Sequence, residues 1–461
     1  MIEWLSRMLA RWLDRRVRGA KFLRKALNHV FPDHWSFMLG EIALYSFVIL
    51  VLTGIFLMMF FHDSSVQEIY HGSYAPLNGV KMSDAYRSVL HLSFDVRAGL
   101  LVRQMHHWAA LIFLAAILVH AIRIFFTAAY RRPREINWIV GLTLLLLALA
   151  NGFFGYSLPG DLLSGLGRRI GYSILLSVPV IGQWLAFLLF GSTVPSPATL
   201  PRFYSLHIFF VPALIAILLA LHLAIIWRQY HTNYPGPRRT DATIVGSRLY
   251  PTYAAKSIAL FFLLFALIAA LGGLTQIDPI WVYGPYDPTA AMPMAQPDWY
   301  LGWIEGAMRL IPAFNLHLGR YLVPNIFFSA LLFPMVLFAV LYAWPFIEKF
   351  ISWDDQPHNV LQLPYMQPFN TAFGCAVLSF LMILFFGGGD DVIAVATGSS
   401  VVFIRRILRL LAVTVPVIVG VVTYILCKRM QRSRGKSESE QTPADLLEME
   451  AELREKELTR H

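Results

Sequence analysis

The sequence predicts an all-α fold: a polytopic membrane protein with eight transmembrane helices. Of its 461 residues, 57% are hydrophobic and only 14% are charged, whereas a soluble domain carries about 25% charged residues. Apolar stretches long enough to cross a bilayer recur along the whole chain. Basic residues gather in alternate connections between these stretches, which is typical of a membrane protein with several spans.

The eight apolar stretches are separated by polar or proline-containing loops. They lie near residues 42–61, 106–128, 138–158, 203–227, 257–276, 323–345, 370–386 and 408–427. A ninth stretch, at 178–191, is too short to cross and predicts a helix at the membrane interface. The predicted domains are a basic amphipathic surface segment at 1–35, a four-helix bundle domain at 36–240, a C-terminal transmembrane domain at 241–435 and a charged tail at 436–461.

The distribution of Lys and Arg predicts the orientation. Basic residues cluster before the first span, at 130–135, at 228–240 and around Lys349. The positive-inside rule places these segments and both termini in the cytoplasm, and the loops at 62–102 and 277–322 outside. Cytoplasmic loops and anionic lipid explain the net charge of +10, so nucleic acid is not expected as a partner. Three residues at the outer start of the eighth span break the rule: Arg405, Arg406 and Arg409.

The two cysteines, Cys375 and Cys427, lie in separate apolar stretches. They form neither a CxxCH nor a CxxC pattern. The sequence therefore predicts no covalent haem, zinc site or iron–sulfur cluster on this chain.

Histidines stand inside two of the apolar stretches. The second, "RQMHHWAALIFLAAILVHAIRIFF" at 103–126, holds His106, His107 and His120, and the fourth holds His207 and His222. Polar groups in a membrane helix are costly and mark functional pathways. Spacings of 14 and 15 residues correspond to roughly 21–22 Å along a helix axis. Fourteen residues rotate about 40° short of four turns and fifteen about 60° beyond, so each pair faces approximately one way.

This layout predicts two haems stacked across the membrane. Two such helices face to face supply two pairs of imidazoles, which are good axial ligands for haem iron. A single membrane histidine is more often a hydrogen-bond partner between helices, but two matched pairs reverse that balance. Arg103 and Arg123 lie one turn from His106 and His120 and are candidates to pair with haem propionates. Helical angles favour His106 over its neighbour His107 only slightly.

Glycines at a matched spacing support the same arrangement. Gly40 and Gly54 in the first span, and Gly141 and Gly155 in the third, are also 14 residues apart. A flat macrocycle between helices needs positions without a Cβ atom, so these glycines are predicted to contact the haems. Taken alone, such pairs more often mark close helix packing.

An ordered set of motifs resembles the cytochrome b subunit of quinol–cytochrome c reductases and their photosynthetic relatives. The motifs are "RQMHHWAA", "LVHAIRIFFTAAYRRPREINWIVG", "GYSLPGD", "SVPVIG", "RFYSLHIFFVP" and "QPDWY". The resemblance extends from about residue 28 to at least residue 345. It implies that His106, three residues after an arginine, pairs with His207 on an outer haem, and that His120 pairs with His222 on an inner one. The resemblance assigns no role to His107.

"QPDWY" at 296–300 resembles the signature of the family's outer quinol-oxidation site. The usual motif has glutamate where this chain has Asp298, which is one methylene shorter. A carboxylate here accepts a quinol hydroxyl proton as a general base, and Tyr300 and Tyr156 are the associated site candidates. The alternative is that Pro297 and Asp298 only cap the helix that follows.

The resemblance implies a respiratory subunit in a bacterial plasma membrane. Quinol oxidised outside gives one electron to a Rieske iron–sulfur subunit and one, through two non-covalent b haems, to an inner quinone, with proton translocation. A cytochrome c-type subunit and a second copy of the chain are further expected partners, and an attached terminal oxidase is left open. The stretch "FPDHWSFMLGEIALYSFVILVLTG" and the eight-span length are similar to actinobacterial members, whose quinol is menaquinol. Photosynthetic relatives hold an extra haem through a cysteine just before the first glycine. This chain has Met38 and Leu39 before Gly40, so that haem is not expected.

Two other functions fit part of the pattern. A dihaem membrane anchor of a quinone-linked dehydrogenase needs only four spans and no "PDWY" loop, so the second half of the chain argues against it. A transporter with a histidine proton relay would hold no haem. The sequence identifies the inner quinone site less clearly than the outer one. Its candidate residues are equally consistent with lipid contact: His34, Arg228, His231 and Lys256.

Overall fold

The computed structural model describes residues 2–17, 19–192, 196–292, 295–319 and 321–440. Eight helices in this part are long and apolar enough to cross a membrane, which confirms the predicted number. Numbered here as the first to eighth spans, they are Trp35–Leu57, Gly99–Phe126, Glu135–Tyr156, Thr199–Gln229, Leu249–Leu274, Phe327–Ser352, Pro368–Gly388 and Val401–Arg434. Most begin several residues before the predicted stretches, because polar residues at their ends continue the helix.

The remaining elements are short. The other helices are Ile2–Val17, Ala20–Leu27, Asp84–Phe94, Leu162–Leu176, Gly182–Phe190, Ile280–Tyr283, Gly302–Leu310 and Asp390–Thr397. The strands are β1 (Val30–Phe31), β2 (Gln67–Ile69), β3 (Lys81–Ser83), β4 (Ser247–Arg248), β5 (Leu316–Leu318) and β6 (Tyr321–Val323). They form three antiparallel pairs, β1 with β4, β2 with β3 and β5 with β6.

The spans carry an apolar outer surface. Phe262, Leu263 and Val413 each expose more than half of their side chain, and many other apolar residues of the spans are equally exposed. An apolar surface of this extent is unfavourable in water and matches the hydrocarbon of a bilayer. The chain is therefore a multi-pass membrane protein.

The predicted basic loops meet at one end of the bundle, named here the basic end. The Arg134 guanidinium donates to the carbonyl oxygens of His358 at 2.9 Å and of Tyr230 at 3.1 Å. The backbone N–H of Asn233 donates to the Asn359 carbonyl at 2.8 Å. The connections after the second, fourth and sixth spans thus form one layer.

The two long loops predicted to lie outside meet at the other end, named here the far end. The Tyr86 hydroxyl of helix Asp84–Phe94 donates to the Ile280 carbonyl at 3.0 Å. The Gln104 side chain donates to the Ile277 carbonyl at 2.9 Å and accepts from its N–H at 2.8 Å. The loop at 62–102, whose contacts the sequence left open, therefore packs on the segment after the fifth span.

Two of the three arginines that broke the charge rule at the far end have partners inside the protein. Asp390 is fully buried and accepts from Arg309 at 2.7 Å and from Arg405 at 2.8 Å. Arg409 donates to the Leu310 carbonyl at 2.8 Å. These two arginines of the eighth span thus hold the helix Gly302–Leu310 and the seventh–eighth connection in place; nothing in the structure explains Arg406.

The short helix predicted near 178–191 is present as Gly182–Phe190 and packs beside Leu162–Leu176. Its Trp184 and Leu188 are each 73% exposed, which suits a helix at the membrane interface. The eighth helix continues to Glu440. The rest of the predicted charged tail lies outside the described residues.

Candidate cofactor and quinol site

The second and fourth spans bring the four predicted histidines together in two pairs. The far-end pair, His106 and His207, has ring centroids 6.1 Å apart and ring planes at 77°. Two imidazoles bound to one metal ion from opposite sides, with metal–nitrogen bonds of about 2 Å, have centroids roughly 6 Å apart. The basic-end pair, His120 and His222, lines one cavity near the other end of the same helices.

A wide helical turn brings the fourth span into register with the second. Residues Leu206–Phe210 form a π-helical turn, which takes up one residue more than an α-helical turn. His207 lies in this turn. The side chains of His207 and His222, 15 residues apart, therefore have nearly the relative direction that a separation of 14 residues gives in a regular α-helix. The overshoot of about 60° expected for a regular helix is thereby removed.

Each of the four predicted glycines lies against one histidine. A Cβ atom at Gly40 would lie 3.4 Å from Cε1 of His120, and one at Gly54 would lie 3.4 Å from Cε1 of His106. The corresponding distances are 3.6 Å from Gly141 to His222 and 2.4 Å from Gly155 to His207. The glycines therefore make room for the imidazole rings at both depths, while their contact with a macrocycle stays a prediction.

Hydrogen bonds at Nδ1 set the protonation of the far-end pair. His207 Nδ1 donates to the Asn151 carbonyl at 3.0 Å. The Thr53 hydroxyl donates to the Ile49 carbonyl at 2.7 Å and so accepts from His106 Nδ1 at 2.9 Å. In both rings Nε2 keeps the lone pair that a metal ion needs. These residues fit a haem iron bound between two neutral imidazoles.

Two buried guanidinium groups stand beside the pairs. Arg123 lines the cavity of the basic-end pair, and its Nε and Nη2 atoms have no hydrogen-bond partner among the described residues. Its guanidinium lies 4.2 Å from the Phe37 ring centroid. Arg103, in the far-end cavity, makes long contacts of 3.4 and 3.5 Å to the Asp278 carbonyl, and its Nε atom has no hydrogen-bond partner in the described part of the chain. Unpaired buried N–H donors fit the propionates of a bound haem.

The Asp298 carboxylate lies in the cavity of the far-end pair. It contacts His107 Nε2 at 3.0 and 3.1 Å through its two oxygens, and the Tyr300 hydroxyl donates to it at 3.2 Å. Asp298 precedes the turn Trp299–Leu301 but makes no capping hydrogen bond with its side chain. The capping interpretation is therefore wrong for the carboxylate, which is turned towards His107.

A second carboxylate completes this cluster, and the sequence did not single it out. Asp278 Oδ2 lies 3.8 Å from His107 Nε2, and the Tyr283 hydroxyl donates to Asp278 at 3.4 Å. Burial raises the pKa of Asp278, and the charge of Asp298 acts in the same direction. Burial also raises the pKa of Tyr283, to about 12, with Asp278 adding to the shift. His107, to which no role was assigned, thus contacts two acids from the far-end loop at 277–322.

Tyr156 reaches the same cavity from the end of the third span. Its hydroxyl donates to the Leu163 carbonyl at 3.3 Å. Asp161, from the quoted "GYSLPGD" stretch, accepts from the Ser164 N–H at 3.3 Å and so caps the helix Leu162–Leu176. Burial raises the pKa of Asp161. The end of the third span and the connection after it therefore bring one predicted and one unpredicted polar group to the cavity.

The basic-end cavity has a volume of about 400 Å³ and extends beyond its histidine pair. Of the four predicted inner-boundary residues, only His231 lines it, and burial lowers the pKa of His231 to about 4. His34 contacts the Ser36 hydroxyl, Lys256 pairs with Asp33, and Arg228 is exposed. The structure thus brings one of these four side chains to the cavity.

Comparisons with known proteins agree on one family. A family profile described as "Cytochrome b(N-terminal)/b6/petB" matches residues 111–285. The cytochrome bc1 complex cytochrome b subunit of Corynebacterium diphtheriae is 47% identical over 421 residues, or 91% of this chain and 78% of the relative. The same subunit of Mycobacterium tuberculosis is 48% identical over 422 residues, with 91% and 77% covered. That of Streptomyces coelicolor is 45% identical over 425 residues, with 92% and 78% covered.

A solved structure shows the same fold. A chain described as hyperthermophilic respiratory Complex III superposes with a TM-score of 0.67 at 20% identity, covering 90% of this chain and 98% of that one. The eight spans and the paired histidines define a polytopic helical protein of the cytochrome b class. The chain belongs to the family of cytochrome b subunits of cytochrome bc1 complexes. The predicted resemblance is confirmed, and the dehydrogenase-anchor alternative is not favoured.

Proposed function

We propose that this chain is the catalytic membrane subunit of a menaquinol–cytochrome c reductase in a bacterial plasma membrane. Quinol is oxidised at the far end, the proposed outer side, because the positive-inside rule assigns the opposite, basic end to the cytoplasm. One electron passes to a Rieske iron–sulfur subunit and the other to a quinone at the basic, inner end. Protons are released outside and taken up inside, so the cycle builds a proton gradient.

One observation carries this proposal: the Asp298 carboxylate shares a cavity with the far-end histidine pair. Its two hydrogen-bond partners, His107 and Tyr300, hold it there. A carboxylate in this place accepts a proton from a quinol hydroxyl as the quinol gives up an electron. Tyr156, on the same cavity, is the further candidate for contact with the quinol.

The histidine pairs are the proposed ligands of two non-covalent b haems. His106 with His207 would hold the outer haem, and His120 with His222 the inner one. When bound, the haems supply one-electron transfer between the two ends of the bundle. Arg103 and Arg123 would pair with propionates, and four glycines would let the rings approach: Gly40, Gly54, Gly141 and Gly155.

Other subunits must supply the remaining electron carriers. Cys375 and Cys427 are the two cysteines of the chain and form no iron–sulfur or c-type haem motif. We therefore expect a Rieske subunit and a cytochrome c-type subunit as partners, with the chain present as a homodimer. The segment 1–35 lies on cytoplasmic membrane lipid, since Trp4 and Trp12 are exposed on its basic first helix.

The test is the variant Asp298→Asn in the purified complex. Quinol oxidation should slow by about 10²–10⁴-fold, the usual contribution of a general base, because the amide accepts no proton. Both haems should stay bound, as measured by reduced-minus-oxidised spectra. Asp287→Asn is the matched control, since Asp287 lies exposed in the same loop. An unchanged rate in Asp298→Asn would remove this residue from the mechanism.

A further inference from the structure

A carboxylate stands inside the apolar first span, and the function proposed above does not use it. Glu41 follows Gly40, whose added Cβ would lie 3.4 Å from the His120 ring, so Glu41 lies at the depth of the basic-end pair. It lines the same cavity as that pair and His231. An ionisable side chain within a membrane span is costly and marks a site of function.

Hydroxyl groups from two spans surround this carboxylate. The Tyr253 hydroxyl donates to Oε1 of Glu41, and the Ser257 hydroxyl donates to Oε2 at 2.7 Å. The Tyr45 hydroxyl in turn bonds to the Ser257 hydroxyl. No lysine or arginine among the described residues lies within ion-pair distance of Glu41. Hydroxyls both donate and accept, so this network can pass a proton to the carboxylate.

The network begins next to the aqueous surface of the basic end. Tyr253 lies three residues before Lys256, whose ammonium binds the Asp33 carboxylate at 2.8 Å. The side chains of Lys256 and Asp33 are 49% and 42% exposed. Tyr253 itself lines the cavity. An exposed charged pair thus involves a residue about one helical turn along the fifth span from Tyr253.

The simpler interpretation is that the network only ties the first span to the fifth. Hydroxyl groups alone would connect the spans at a lower cost in free energy. For a buried carboxylate without a cation, the free energy lost on leaving water exceeds the free energy gained from its hydrogen bonds. The desolvation cost of the Glu41 carboxylate is explained if Glu41 is charged only briefly, between giving up one proton and taking up the next. We infer that Glu41 delivers protons from the basic end to the quinone reduced in this cavity, an inference that rests on the proposed function.

The reaction balances as follows. A quinone takes up two electrons, which come from the electron transfer proposed above, and two protons. Glu41 gives one proton to a carbonyl oxygen, which becomes a hydroxyl group, and its carboxylate is protonated again from water through the Tyr253 hydroxyl. A second proton, also taken up from the basic end, goes to the other oxygen, and quinol leaves.

The first experiment follows haem reoxidation in the intact complex after a pulse of quinol. In Glu41→Gln, the b haems should be reduced at the wild-type rate, because the far-end site is unchanged. Their reoxidation through the basic end should be at least tenfold slower, while Glu41→Asp should keep a large part of the rate. Glutamine can accept one of the two hydroxyl hydrogen bonds through its carbonyl oxygen and donate its NH2 group to the other hydroxyl oxygen, so the tie between the spans is preserved.

Glu135→Gln is the matched control, since Glu135 begins the third span at the same end but does not line the cavity. Reoxidation within twofold of the wild type in Glu41→Gln would overturn the inference. Wild-type haems that quinol does not reduce would instead contradict the proposed function, so the two failures are distinguishable.

The second experiment does not depend on assembly of the glutamine variant. Infrared difference spectra of quinone reduction in the wild type should contain a carboxyl band, and this band should shift in Glu41→Asp. Tyr253→Phe should slow reoxidation several-fold while its ring keeps the stacking on Phe31, at 4.3 Å between centroids. A difference spectrum that Glu41→Asp leaves unchanged would overturn the inference.

Discussion

Two adjacent residues, His106 and His107, have different surroundings in the far-end cavity. Successive side chains of a helix point about 100° apart, so one faces the fourth span and the other faces the loop after the fifth. His106 meets His207, whereas His107 meets Asp298. Helical angles measured from His120 could not choose between them, because the choice depends on residues distant in the sequence. The family resemblance favoured His106, and the geometry supports that choice.

Gly155 offers the sharpest test at the residue scale. A Cβ atom there would lie 2.4 Å from the His207 ring, far inside contact distance, whereas one at Gly141 would lie 3.6 Å from the His222 ring. We therefore expect Gly155→Ala to displace His207 and to remove most of the absorbance of the haem proposed for the far-end pair. Gly141→Ala is the matched change and should keep both haems. Equal b-haem spectra for the two variants would contradict this expectation.

Among the elements, the fourth span shows why regular helical geometry did not predict how its two histidines are aligned. Its histidines are 15 residues apart and those of the second span 14. In a regular helix the extra residue would rotate one histidine by about 100° relative to the other. The π-helical turn Leu206–Phe210 takes up the extra residue at His207 itself. Short-range sequence patterns do not predict such turns, because packing against neighbouring helices decides where the extra residue is placed.

The eighth span supplies the prediction at this scale. Arg405 is bonded to the buried Asp390, whereas its neighbour Arg406 is exposed. Replacing Arg405 by Met should lower the free energy of unfolding by about 1.5–3 kcal/mol, the usual value of a hydrogen bond to a charged group. Arg406→Met should change it little. Thermal unfolding of the complex in detergent measures both, and equal stabilities would show that the pair with Asp390 contributes nothing.

For the whole molecule, the key property is that each of the two proposed haem sites is built from side chains of different spans, and the two cysteines form no motif for covalent attachment. Denaturation in acidic acetone should therefore extract all haem, and the pyridine haemochrome should give two b haems per chain. His222→Leu should retain one haem, because the far-end pair is untouched. His231→Leu is its control and should retain both, as His231 lies in the same cavity but outside the pairs. Haem that stays on the chain after extraction would contradict this prediction.

The sequence by itself determined the number of spans, the gathering of basic loops at one end, and the histidines and glycines at matched depths. These features follow from local physics, since hydrophobic length, charge and helical rise act within one segment. Only the tertiary structure decided that Arg405 has a buried partner, that Asp298 is turned to His107 rather than to its own helix, and that Asp278 and Glu41 reach the two cavities. Each of these depends on segments far apart in the chain, because a buried charge is placed by the partner that folding brings to it.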